Sequence, residues 1–292
     1  MRTVDFLIVG AQKSGTTSLY EYLSRHPAIF MPFLKEIEYF SSDKNYAKGL
    51  VFYNSFFEDA ASTDILGEAS PQYMYDSATA ERIFKYSPKM KLIMCLRDPA
   101  DRAYSHYRMN KRRNIESRAF EVVVEEQIKS FRERGYCHRN PEFDYLGLGL
   151  YGEKIKAFSG FFGLNQIKVV WTQDLEQKRK TTVDDILDFL GISSGIEETI
   201  VKNSYHIGGD LRFPWIYATF QMLTKVPGPI KAAIKRVIGA DRVGGALHRI
   251  ETQFFVSARP DTLQPEIRCK LQQFYENDSK FISSLLGVKP PW

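Results

Sequence analysis

The stretch "VDFLIVGAQKSGTTSLYEYL", residues 4–23, constrains the fold of this chain more than any other. Val4–Val9 is a short apolar, branched run that stops at a glycine, the pattern of a buried strand. Thr16–Arg25 then follows a helical period. A strand, a glycine loop and a helix in that order create a defined electrostatic object. The loop and the first helical turn leave backbone N–H groups without intrahelical partners, and the helix dipole adds positive potential at the same spot. Gly10 and Gly15 let the backbone turn and approach an anion closely. Ser14, Thr16, Thr17 and Ser18 add hydroxyls, and Lys13 adds a cation.

The spacing of the two glycines matches the nucleoside-triphosphate loop G-x-x-x-x-G-K-[ST], but the lysine does not. Thr16 stands where that loop carries lysine, and Lys13 lies three positions earlier. In triphosphatases the lysine after the second glycine reaches the terminal phosphates and the next hydroxyl holds magnesium. No acidic residue at the end of a buried strand stands out here to serve such an ion. A P-loop kinase of nucleotides or small molecules is therefore the weaker alternative, and a non-catalytic anion-binding domain is another.

Further along, Lys91–Leu96 (KLIMCL) and Ile167–Thr172 (IKVVWT) read as two more buried strands. Helices are expected from Ala100 to Arg113, with Pro99 near the start, and at Thr181–Leu190, closed by Gly191. Strands alternating with helices imply a parallel sheet covered on both faces. Ligands of such sheets bind beyond the carboxyl ends of the strands, where both the Gly10–Thr17 loop and Arg97 fall. The last third reads as mostly helical. Ile230, Ala233, Ile234, Val237 and Ile238 recur at helical spacing opposite Lys231, Lys235 and Arg236, and Pro260–Leu286 reads as a closing helix. A solvated basic face is the plain reading of the former; contact with a membrane surface or an acidic partner is its alternative. Nothing marks a linker, so residues 1–292 read as one domain.

With 40 basic and 35 acidic residues, the net charge of +5 suits a small anionic ligand and is too weak to argue for nucleic acid. Three scattered cysteines form neither a zinc pattern nor a disulfide framework. No signal peptide or membrane span is expected, because Phe213–Val226, the most apolar later stretch, falls short of the roughly 20 residues a span needs. The expectation is a cytoplasmic protein.

"FLIVGAQKSGTTSLYEYLSRHP" resembles the 5′-phosphosulfate loop of sulfotransferases that use 3′-phosphoadenosine 5′-phosphosulfate (PAPS), and "KLIMCLRDPADRAYSHYRMN" resembles the segment that grips the donor's 3′-phosphate. "GLYGEKIKAF", "IKVVWTQDL", "TTVDDILDFLGI" and "RPDTLQPEIRCKLQQFYENDSKFISSLLG" continue the likeness in order, closest to the glycan branch that includes heparan sulfate sulfotransferases. The resemblance implies a three-layer α/β fold of P-loop type. It implies PAPS as co-substrate, no required metal, and sulfation of a small-molecule or glycan acceptor at a hydroxyl, with an amine as the less favoured alternative. It assigns donor contacts to Lys13, Ser14, Gly15, Thr16, Thr17, Ser18, Arg97 and Ser105, and more weakly to Gly209 and Arg212 in "NSYHIGGDLRF". Arg97 alone could equally pair with Asp98 or Asp101, and Arg102 reads as a structural arginine paired with an acid on its own helix.

"MPFLKEIEYF" resembles the family segment whose first glutamate is the general base, here Glu36; Glu38 shares its side if the segment is extended. Lys35 reads as a substrate or sulfate contact. "ILGEASPQYMYD" departs from the family, with Ala69 where heparan-type members carry an active-site lysine. That departure argues against heparan sulfate itself as acceptor. Glu68, Ser70, Gln72 and Tyr73 are expected to line the acceptor cleft, and His106 to be structural or to flank the donor. Lys111, Arg112, Arg113, Lys129, Arg132 and Arg134 read as a solvated basic surface.

Overall fold

The computed structural model describes residues 2–193, 195–201 and 262–292, and the backbone of two short strands within 202–261. The chain divides into two compact units, Met1–Tyr205 with Leu263–Trp292, and His206–Thr262.

In the first unit the elements run β1 (Phe6–Gly10), α1 (Thr16–Leu23), β2 (Ile29–Phe30), α2 (Asp43–Tyr46), α3 (Gly49–Asn54), β3 (Ile65–Ala69), α4 (Ser77–Tyr86), β4 (Lys91–Leu96), α5 (Pro99–Arg112), α6 (Phe120–Arg134), α7 (Gly152–Ser159), β5 (Ile167–Trp171), α8 (Thr172–Gln177), α9 (Arg179–Leu190), α10 (Glu198–Val201) and α11 (Pro265–Leu286). The five strands form one sheet in the order β2-β3-β1-β4-β5, every neighbouring pair parallel. In the second unit, β6 (Asp210–Leu211) and β7 (Phe255–Val256) pair antiparallel. The expected helix over 230–238 lies outside the described residues.

Side-chain alternation along the strands builds the three layers. On β1, Leu7 and Val9 face one way, into a cluster with Leu92, Met94, Ile83, Phe158 and Ile282. Phe6 and Ile8 face the other way and meet Ile93, Cys95, Leu19, Leu23, Ile186 and Leu190. Helices thus cover both sheet faces, which is why the central strands β1 and β4 read as apolar runs. A third cluster joins α5 and α6 to α11 through Ala103, Tyr107, Val123, Val124, Leu271 and Tyr275.

Local chemistry sets the element ends that matter. Asp98 caps α5, accepting from the Ala100 N–H at 2.8 Å and the Asp101 N–H at 3.2 Å, with Pro99 at the first helical position. Gly191, at φ 86°, closes α9 as expected. Strands β2 and β3 had no strong apolar pattern to announce them; Gly67 and Glu68 interrupt β3. Cys95 and Cys137 are buried and Cys269 is exposed, all three as free thiols. Among the described residues, no helix is long and apolar enough to cross a membrane.

Candidate active site

Adjacent parallel strands bring the two sequence motifs together. The Ala11–Gly15 loop leaves the end of β1, and Arg97 leaves the end of β4 beside it. The Ala11 N–H donates to the Cys95 carbonyl at 2.7 Å, tying the start of the loop to β4. Thr172, at the start of α8, donates its hydroxyl to the Ser14 carbonyl at 2.8 Å and to the Leu96 carbonyl at 3.1 Å, locking the loop to the β4 end from a third element. The Tyr75 hydroxyl accepts from the Gln12 N–H at 2.7 Å. No spacing in the sequence announced Thr172 or Tyr75; only strand order and a distant 3₁₀ turn place them here.

The loop is shaped for an anion. Gly15 precedes α1 at φ 87°, in the left-handed region that a side chain would strain, and Lys13 sits at φ 69°. The first turn of α1 has neither a side-chain cap nor an acidic residue, so its N–H groups are left for a ligand. Ser14 Oγ is fully buried without a hydrogen-bond partner, which is costly unless something polar completes it. Thr16 and Ser18 are buried and Thr17 is exposed.

Lys13 and Arg97 meet. The Arg97 guanidinium donates to the Lys13 carbonyl at 3.4 Å, while the Lys13 ammonium rests 3.9 Å from Met109 Sδ on α5. Burial lowers the Lys13 pKa from 10.5 to about 8, and repulsion from Arg112, Arg113 and Arg97 adds to it against the attraction of Glu36. Arg112 and Arg113, read from sequence as solvated surface, therefore belong to the electrostatics of the loop. Met109 explains this, since residues three and four positions on share its helix face. Lys111 instead donates to the Ser117 and Arg118 carbonyls.

The alternative pairing of Arg97 with Asp98 or Asp101 does not form. Arg268 of α11 takes both acids, at 3.4 Å from Asp98 and in a close ion pair with Asp101. Arg97 holds no ion pair among the described residues, and its own carbonyl accepts from the Tyr151 hydroxyl at 3.1 Å. Ser105 lies on α5, part-buried, about two turns beyond the Arg97 position. Arg102 is fully buried, but it pairs with no acid on its helix; it donates to the Tyr145 carbonyl, with Asp144 close enough to feel its charge. His106 is buried against Tyr145, and burial followed by repulsion from Arg102 and Lys13 lowers its pKa to about 3. The imidazole is therefore neutral at ordinary pH.

Glu36 stands on the loop before α2, half-exposed and ion-paired with Lys35. Its N–H donates to the Ala69 carbonyl at 3.0 Å, at the end of β3, the strand on the other side of β1. The loop is not extended: Glu36 has φ 63° and Glu38 φ 53°. The shared-side argument for Glu38 therefore fails. Burial, with repulsion from Glu36, raises the Glu38 carboxyl pKa.

Glu68, Ser70 and Tyr73 do not line a cleft; all three are at most 1% exposed. Glu68 is also an acidic residue near the end of a buried strand, a position at which none stood out in the sequence. It is bonded to protein hydroxyls, by Ser70 and by Tyr53 at 3.4 Å. Burial lifts its pKa from 4.5 to about 7 against those hydrogen bonds. Gly209 and Arg212 lie outside the described residues.

With this geometry in hand, similarity to known proteins can be placed on it. A profile of the sulfotransferase domain family matches residues 3–207. Human bifunctional heparan sulfate N-deacetylase/N-sulfotransferase 2 is 32% identical over 205 residues, 68% of this chain and 23% of that protein. The membrane-associated sulfotransferase kil1 of Dictyostelium discoideum is 26% identical over 267 residues, 65% of this chain and 56% of that one. The chain thus spans about a quarter of the heparan relative and about half of kil1. Among solved structures, a sulfotransferase from Alicyclobacillus acidocaldarius shares the fold at a TM-score of 0.68, with 24% identity over 99% of this chain and 98% of that chain. A helix-flanked parallel sheet and a matching profile across the anion loop and the Arg97 segment converge on one conclusion: the chain belongs to the sulfotransferase domain family.

Proposed function

We propose that this chain transfers a sulfuryl group from PAPS to an acceptor hydroxyl. The observation that carries the reading is the meeting of Lys13 and Arg97 across neighbouring strand ends, with Glu36 close enough to act on Lys13 electrostatically. The unpartnered Ser14 hydroxyl and the uncapped first turn of α1 fit a phosphosulfate. Arg97, with Ser105 on the same side of the sequence motif, fits the 3′-phosphate as a fork that lysine could not supply.

In the proposed reaction, the acceptor oxygen attacks sulfur in line while the bond from sulfur to the bridging phosphate oxygen breaks. The leaving phosphate oxygen gains negative charge, which Lys13 in its ammonium form offsets. The acceptor proton passes to Glu36. Lys35, ion-paired with Glu36 before substrate arrives, holds that carboxylate in place. The products are the sulfated acceptor and adenosine 3′,5′-bisphosphate. Amine acceptors belong in the same screen, because a similar protein is named as a heparan sulfate N-sulfotransferase. The one-domain, cytoplasmic reading of residues 1–292 belongs to this proposal.

The test is a labelled-sulfate transfer screen over glycans, lipids and small metabolites, hydroxyl and amine alike, with Glu36→Gln beside wild type. Turnover is expected to fall by about 10²- to 10⁴-fold in the variant, with an unchanged thermal shift on adenosine 3′,5′-bisphosphate. A larger shift from ATP with magnesium than from the bisphosphate would overturn the assignment.

A further inference from the structure

The catalytic loop carries two residues in the left-handed region, Glu36 and Glu38. Non-glycine residues stay there only where surrounding contacts hold them. Two anchors do so, and both come from the end of β3. One is the Ala69 carbonyl, which accepts from the Glu36 N–H at 3.0 Å. The other is the Ser70 hydroxyl, which accepts from the Glu38 N–H at 3.0 Å. A serine hydroxyl that accepts from a backbone N–H still has one proton to place. Here that proton goes to Glu68 Oε1. The second carboxylate oxygen takes the Tyr53 hydroxyl at 3.4 Å. The chain of bonds runs Tyr53, Glu68, Ser70, Glu38 N–H, with every member but Glu38 buried.

Resting on the sulfotransferase reading, we infer that Glu68 and Ser70 are positioning residues of the reaction, holding the Glu36–Glu38 backbone through the Ser70 hydroxyl so that Glu36 meets the acceptor. Neither touches substrate, because neither is exposed. A buried carboxylate in a small domain is otherwise a liability, since burial disfavours its charge; its use here is to turn the Ser70 hydroxyl toward itself and leave a lone pair for the loop. The groups facing Glu68 are Tyr53 of α3, Tyr73 after β3, Ser70 and, electrostatically, Lys35 of the catalytic loop. The tyrosines remain protonated across the working range, since burial raises the pKa of both. With its pKa near 7, Glu68 is a carboxylate above that pH and a competing donor to Ser70 below it.

The experiment compares wild type, Ser70→Ala and Glu68→Gln in full-length protein. At saturating donor and acceptor, Ser70→Ala is expected to lose about 10- to 100-fold in kcat, the cost of a misplaced catalytic group. Acceptor KM and bisphosphate affinity should stay within about two-fold, because the anion loop is untouched. The wild-type kcat profile should carry a wave near pH 7 that Glu68→Gln removes. Hydrogen exchange at the Glu38 amide, which needs no activity, should quicken by at least about 10-fold in Ser70→Ala. Folded variants with wild-type kcat, pH profile and amide exchange would overturn the inference. If Ser70→Ala does not fold, the wave decides: its absence in wild type, or its survival in Glu68→Gln, overturns it too. A wild type that transfers no sulfuryl group would sink the functional reading instead, leaving the amide exchange to judge the anchor.

Discussion

Replacing Lys13 with methionine should make the unliganded protein more stable while destroying its affinity for the donor. Lys13 titrates at about 8 in the folded protein against 10.5 ordinarily. The difference, 10.5 − 8, is about 2.5 units, and at 1.36 kcal/mol per unit it corresponds to about 3 kcal/mol of destabilisation when the ammonium is charged. The sign follows from linkage. Below pH 8 the lysine is protonated folded or unfolded, and the folded state bears the whole cost of a buried charge among three guanidiniums. As pH rises from 8 to 10.5, the folded protein releases this proton before the unfolded chain does, so the cost disappears. Methionine keeps the length of the side chain, can pack against Met109, and carries no charge. At pH 7, Lys13→Met should therefore gain about 2–4 kcal/mol in denaturant unfolding, a rise of several degrees in Tm for a chain of this size. The gain should shrink steadily between pH 8 and 10.5. Adenosine 3′,5′-bisphosphate, expected to stabilise wild type by mass action, should do little for the variant. A Lys13→Met protein no more stable than wild type at pH 7, or a gain indifferent to pH, would refute the reasoning. It would mean that Lys13 is solvated and the loop is not charge-strained.

Two further outcomes are expected. Arg97→Ala should weaken adenosine 3′,5′-bisphosphate about 10- to 100-fold by calorimetry, the worth of a charged fork on a phosphate, with little loss of stability because Arg268, not Arg97, holds Asp98 and Asp101. Gly15→Ala should cost about 1 kcal/mol or more in unfolding free energy, since alanine must enter the left-handed region at φ 87°, and it should weaken the bisphosphate as the loop relaxes.

The parts of the site that a short window encodes were legible beforehand. The run from Phe6 to Gly10 is buried throughout and β4 spans Lys91–Leu96 as expected, because a strand covered on both faces favours a near-continuous apolar run. The Asp98-Pro99 cap and the Gly191 stop were visible for the same reason: their chemistry acts on the backbone within a few residues. Strand β3 was not visible, because Glu68 sits in its core only by virtue of Ser70 and Tyr53, one of them 15 positions away. Whether the Glu36 loop is extended could not be read locally, since nothing in its own residues requires φ 63°; contacts with Ala69 and Ser70 do.

The amino-acid sequence by itself determined that this protein has a glycine turn between a buried strand and a helix, with its lysine displaced from the triphosphate position, and a second basic residue after another buried strand. Only the tertiary structure decided that these two lie side by side, that Arg268 frees Arg97 from its acidic neighbours, and that Arg112 and Arg113 bear on Lys13. The physical reason is range. Backbone conformation and capping answer to neighbours in the chain, whereas burial, charge repulsion and the competition for ion-pair partners depend on which strands the sheet places next to each other.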